Sequence, residues 1–122
     1  MPLSYFDYIY PGWYEIAYRA IQKIKVLDPE CDIYVKEKFG LLRIRVYSTT
    51  HHRSEFREIE NAAELESSTT CEFCGQPGRL RSDRSYLHTL CDRCHSADNR
   101  QQIIDETEKK WKAVYLLKEK EK

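Results

Sequence analysis

Four cysteines set as Cys71-x2-Cys74 and Cys91-x2-Cys94, with sixteen residues between the pairs, constrain this chain more than any other feature. Each short Cys-x-x-Cys loop can present two thiolates to one side of a tetrahedral ion, and two such loops at this separation match a two-pair zinc spacing. The expectation is one structural Zn2+ held by Cys71, Cys74, Cys91 and Cys94. Four thiolates fill the coordination sphere and leave no position for substrate or water, so the chain reads as a non-enzyme. His88 and His95 flank the second pair, but the thiolates complete the tetrahedron without them. The fifth cysteine, Cys31, is expected to be a buried small hydrophobe, since disulfides are rare inside cells.

The residues between and after the pairs say what the metal braces. Gly75 suits the tight turn behind Cys74, and Gln76-Pro77-Gly78 makes a further turn. Residues 79–81 and 86–90 then read as short strands. After Cys94, the positions Ile104, Thr107, Trp111, Val114, Tyr115 and Lys118 follow three-four spacing, so the second pair is expected in the first turn of a long C-terminal helix. Knuckle, hairpin and helix describe a treble-clef-like finger, with an all-strand zinc ribbon as the alternative. The helix stripe is too large for so small a finger to bury, so it is expected to dock on the helix bearing Trp13 or on the strand bearing Leu42, Ile44 and Val46.

Ahead of the finger the pattern is α+β. Residues 13–27 place Trp13, Ile16, Ala17, Ala20, Ile24 and Leu27 on one helical stripe, which Asp28-Pro29 ends. Residues 32–38 and 41–47 read as a hairpin turned at Gly40, in which Leu42, Ile44 and Val46 enter the core while Arg43 and Arg45 face solvent or a partner. Ser54 is a candidate N-cap for a second helix to residue 66 that buries Phe56, Ile59 and Ala63 and turns Glu55, Glu58, Glu60 and Glu64 to water. His51-His52, in the loop before it, reads as solvated. The expected organisation is an α+β core over residues 1–66 and a finger with its helix over residues 67–122, packed as one unit.

The chain carries 20 Lys+Arg against 20 Asp+Glu, and a four-thiolate centre adds about −2. That balance disfavours nucleic-acid binding driven by the phosphate backbone. Apolar runs are too short to span a bilayer and residues 1–10 lack a signal-peptide pattern, so a cytoplasmic protein without membrane contact is expected. Five arginines and no lysine lie between residues 67 and 104, a bias that suits phosphates and guanine edges.

The segments Lys36-x-Lys38-Phe39-Gly40-x-Leu42-Arg43, Cys71-Glu72-x-Cys74-Gly75-x-Pro77-Gly78-x-Leu80-Arg81 and Thr89-Leu90-Cys91-x-x-Cys94 resemble a family of short uncharacterised bacterial and prophage zinc-finger proteins, over residues 36–94. The resemblance implies a complete zinc shell, in which relatives place histidine at position 94, and a phage- or prophage-encoded factor acting on host or defence proteins. It implies no reaction.

Three functions follow from these readings. The leading one is a non-catalytic, zinc-stabilised module that binds another protein, with Tyr5, Tyr8 and Tyr10 as a candidate partner surface and a homodimer compatible with it. The alternative is a nucleic-acid-binding regulator that uses Arg79, Arg81, Arg84, Tyr86 and Arg93. A remote third is a His-Asn-His-type nuclease, suggested by Cys91-Asp92-Arg93-Cys94-His95 and Asn99, for which the gap between the cysteine pairs is too short.

Overall fold

The computed structural model describes residues 1–83 and 85–121. Two short 3-10 turns, Leu3–Phe6 and Pro11–Trp13, lead into α1 (Tyr14–Leu27). A hairpin of β1 (Asp32–Lys38) and β2 (Leu41–Tyr47) follows, then α2 (Arg53–Ser67). The remainder is a small hairpin of β3 (Arg79–Arg81) and β4 (His88–Leu90), a short α3 (Asp92–Ser96) and a long α4 (Arg100–Lys120). The fold is α+β, as the alternating and helical periods predict. Among the described residues no helix is long and apolar enough to cross a membrane.

The predicted stripe on α1 is buried at Ile16, Ala17, Ala20 and Ile24, but Tyr14, Tyr18 and Ile21 are buried as well. The helix is covered on more than one side. Beside the sheet residues Ile33, Val35, Leu42 and Ile44, the same core cluster takes in Phe6 and Tyr115, with Trp111 packed against it. Trp111 meets Phe6, Tyr14 and Tyr18 at ring-centroid distances of 5.0, 5.2 and 5.9 Å and stacks on Tyr115. Of the two expected docking sites, α4 therefore takes α1 and the N-terminal turn. Its Val114 points outward instead, at 49% exposure.

The hairpin pairs in antiparallel register with Asp32 opposite Tyr47 and Lys38 opposite Leu41. Both turn residues, Phe39 at φ 56° and Gly40 at φ 80°, have left-handed backbone. Glycine tolerates this and phenylalanine does so at a cost, so the turn needs both positions and not only Gly40. The turn is held from outside, where the Thr89 hydroxyl donates to the Gly40 carbonyl at 2.7 Å.

α2 departs from expectation in two places. It starts at Arg53 behind His52 without a side-chain cap, so Ser54 is inside the first turn and caps nothing. A His52 Nδ1 to Glu55 Oε2 contact of 2.7 Å spans that turn and gives His52 a carboxylate neighbour. Glu60 does not face water. Only 9% exposed, its Oε2 accepts the Val46 N–H at 3.0 Å and its other oxygen lies 3.7 Å from Arg45. The buried carboxylate satisfies a strand-edge donor, which offsets its own desolvation. Ser67 does the same for the Leu42 N–H at 2.9 Å. Arg43 and Arg45 accordingly lean toward Glu64 and Glu60 of α2.

Candidate metal centre

The four cysteines converge from two elements. Cys71 and Cys74 sit on a tight loop closed by a hydrogen bond from the Gly75 N–H to the Cys71 carbonyl at 2.9 Å, with Gly75 at φ 81°. Left-handed backbone there turns the chain back beneath the sulfurs, which is why glycine follows Cys74. Cys91 is the N-cap of α3, and its sulfur accepts the Cys94 N–H at 3.4 Å. The second pair thus belongs to a separate short helix and not to the long one. The chain breaks helix at residues 97–99, and Arg100 folds back to donate to the carbonyls of Cys94 and His95. Those bonds satisfy the free carbonyls at the end of α3, so the break is stabilised by the residue that opens α4.

All four thiol groups lie within 4.8 Å of one another and none is in a disulfide. The Cys74 and Cys91 sulfurs are 3.6 Å apart. A tetrahedral ion with metal–sulfur bonds of about 2.3 Å needs sulfurs about 3.8 Å apart, so the cluster fits a metal ion such as zinc. Cys71 and Cys94 are fully buried, and Phe73, Leu90 and Ile103 enclose the group. Burial pushes the Cys71 and Cys94 thiols up. Burial also opposes ionisation of Cys91, but the Cys94 N–H and the neighbouring thiols outweigh it and bring that thiol down. Packed thiols that resist ionising together are the charge environment that a divalent cation relieves. Outside the shell, the neighbouring Cys74 sulfur raises the pKa of the exposed Arg93 guanidinium.

Neither flanking histidine joins the cluster. His88 Nδ1 lies 2.6 Å from Glu72 Oε2, and His95 Nε2 lies 3.3 Å from Asp83. Sequence reasoning passed over Glu72. It is completely buried, and among the described residues its Oε1 has no hydrogen-bond partner. Burial first, then the charge of Glu37, lifts its pKa to about 8, while burial lowers that of His88. Both shifts disfavour the charged forms. No spacing rule singles out a glutamate between two ligands.

The candidate contact residues are dispersed. Arg81 is turned inward at 8% exposure, where it donates to the Leu90 carbonyl at 3.1 and 2.9 Å and to Asp92 at 2.8 Å. That pairing holds Asp92 below the ordinary carboxylate range. Arg100 is engaged by α3 carbonyls, whereas Arg79 and Arg93 are exposed. Arg84 lies outside the described residues. Tyr86 is 78% exposed. Of the N-terminal tyrosines, Tyr5 packs against the core, Tyr10 sits edge-on to Phe73 at 4.7 Å, and Tyr8 is 78% exposed.

The N-terminal turn reaches the metal loop directly. Gly12 N–H donates to the Glu72 carbonyl at 2.7 Å, and Trp13 Nε1 donates to the Thr70 carbonyl at 2.8 Å. No family model, curated protein or solved structure matches this chain.

Proposed function

We propose that this protein is a non-catalytic interaction module, braced by one structural Zn2+ on Cys71, Cys74, Cys91 and Cys94, that acts by binding another protein. The observation that carries the reading is the closed set of four thiols within 4.8 Å. A shell of that composition supplies folding free energy and offers no open position for a hydrolytic water. Two of the finger's arginines are spent inside it: Arg81 on the Leu90 carbonyl and Arg100 on the α3 carbonyls. Such bonds leave fewer free guanidinium groups for phosphates, which favours a protein partner over nucleic acid.

The test has two arms. Elemental analysis of the purified chain is expected to give about one zinc per molecule, falling toward zero in Cys74→Ser, with chelator loosening the segment from Ser67 onward. Less than about half an equivalent, with folding indifferent to chelator, removes the metal from the proposal. Titration with duplex and single-stranded oligonucleotides is expected to show no salt-sensitive binding. A steep salt slope that Arg79→Ala flattens would transfer the function to nucleic acid.

A further inference from the structure

α4 carries a second stripe on the side that the fold leaves bare. Trp111 and Tyr115 turn one side of the helix onto the core, and Ile103 and Ile104 pack on the finger. On the opposite side Glu106, Lys110, Ala113, Leu117 and Lys120 recur at steps of four and three, and all five are exposed. Val114 and Leu116 flank that row. Val114, Leu116 and Leu117 are 49, 57 and 61% exposed, so three large apolar side chains crowd one turn of the outer surface. The stripe that the core requires is already complete on the inner side, and a second one at helical spacing marks a second contact.

Reversed on itself, the outer row is complementary. Glu106 and Lys120 stand seven residues from Ala113, one on either side. In an antiparallel pair of helices crossed at Ala113, Glu106 of one copy faces Lys120 of the other, and two-fold symmetry repeats the pairing at the far end. Between these ends Lys110 of one copy lies over Leu117 of the other, and Lys109 over Leu116. Lysine stems cover apolar surface in this way while their ammonium groups stay in water. Ala113 meets its own counterpart, and its small side chain lets the two helices approach. The span from residue 106 to residue 120 lies beyond the part of α4 that packs on the finger, so helix meets helix without interference.

Other arrangements lack this match. A parallel pair sets Glu106 on Glu106, Lys110 on Lys110 and Lys120 on Lys120, each a repulsion. The exposed charges of α4 and its C-cap balance, with Asp105, Glu106 and Glu121 against Lys109, Lys110 and Lys120. An anionic lipid surface or a phosphate backbone therefore gains no net attraction there.

We propose that two copies of this chain pair through the outer faces of α4, antiparallel and crossed at Ala113. The inference stands apart from the partner that the module binds. Four apolar residues and one ion-pair position per copy make a small interface, at the low end of the sizes that hold proteins together, so the dimer is weak and forms at high concentration.

Sedimentation equilibrium of the zinc-loaded full chain at low salt, from about 10 μM to about 1 mM, is expected to pass from one chain per particle to two. Leu117 is exposed, so Leu117→Lys is expected to keep the thermal midpoint of the dilute parent and to stay single throughout. Lys120→Glu sets like charges against each other at both ends and is expected to weaken the dimer about tenfold. Adding Glu106→Lys to that variant exchanges the two signs and is expected to restore the parent's affinity, a rescue that a purely structural role for either residue would not give. The proposal is overturned by a chain that stays single at about 1 mM, by a dimer indifferent to Leu117→Lys, or by a charge-exchanged protein that fails to regain affinity. Pelleting of single chains with phosphatidylcholine–phosphatidylserine vesicles, lost in Leu117→Lys, would give the face to a membrane and overturn the dimer as well. Each of these results leaves the zinc-braced module standing, since the zinc and oligonucleotide measurements test it separately.

Discussion

Replacing Gly12 with alanine tests how the N-terminal turn and the metal loop hold each other. An alanine Cβ at this position would lie 2.1 Å from the Cys71 carbonyl oxygen and 2.4 Å from that of Glu72. Real Cβ contacts essentially never fall under 3.0 Å, so the two backbones must part by at least 3.0 minus 2.1, or 0.9 Å. Neither obstacle is a flexible side chain that could swing aside. Separation of that size breaks the 2.7 Å bond from the Gly12 N–H to the Glu72 carbonyl and strains the one from Trp13 Nε1 to Thr70. A lost hydrogen bond contributes about 1 kcal/mol and forced overpacking about 1–3 kcal/mol, so Gly12→Ala is expected to cost about 2–4 kcal/mol. For a chain of this length that lowers Tm by roughly 6–20 °C. Circular dichroism melts at saturating zinc read the loss, and competition with a chromogenic chelator reads a weaker metal site beside it. Gly75→Ala is the internal comparison. Its Cβ would come no closer than 3.3 Å to Gly12, so its cost comes from left-handed backbone, about 1–2 kcal/mol. A Gly12→Ala protein that melts within about 2 °C of the parent and keeps its zinc affinity would refute the reasoning.

Trp111→Ala removes a half-buried ring held among Phe6, Tyr14, Tyr18 and Tyr115, and is expected to cost about 2–3 kcal/mol, less than full burial would imply. Unchanged stability with lost self-association would make α4 a binding surface instead. Arg81→Lys keeps the charge but loses the fork that grips the Leu90 carbonyl and Asp92 together, so amide exchange at residues 79–81 and 88–90 is expected to quicken while that of α1 stays slow. Equal exchange in both proteins would return Arg81 to the solvent-facing set. For Glu72, a folded pKa of about 8 lies above the ordinary value near 4.3, so its stabilising contribution is full below about pH 4 and drains away as pH rises toward 8. Glu72→Gln cannot ionise, and its Tm relative to the parent is expected to climb between pH 6 and 9 at saturating zinc. Parallel curves would place the carboxyl in a wetter setting than this structure gives it.

Local rules made much of the fold legible in advance. The alternation from Leu41 to Tyr47 located β2, and the three-four spacing placed α1, because a side chain's direction in a regular element follows from its own position alone. The cysteine spacing carried the metal cluster for a related reason: two-residue loops force neighbouring thiols together whatever surrounds them. What the period could not carry was the fate of each charge. Glu60 lies on the helix face predicted to be wet, yet it is buried because the edge of β2 passes beside it with a free N–H. Arg81 looked like one of a row of arginines, but it turned inward because β4 and α3 bring the Leu90 carbonyl and Asp92 within its reach. The break that separates α3 from α4 was equally hidden, since Arg100 caps carbonyls that only the folded chain brings to it. Spacing along the chain determined which residues share a face or a loop. Tertiary structure decided which polar groups lose their water and must find partners, because that depends on what packs against them from distant parts of the sequence.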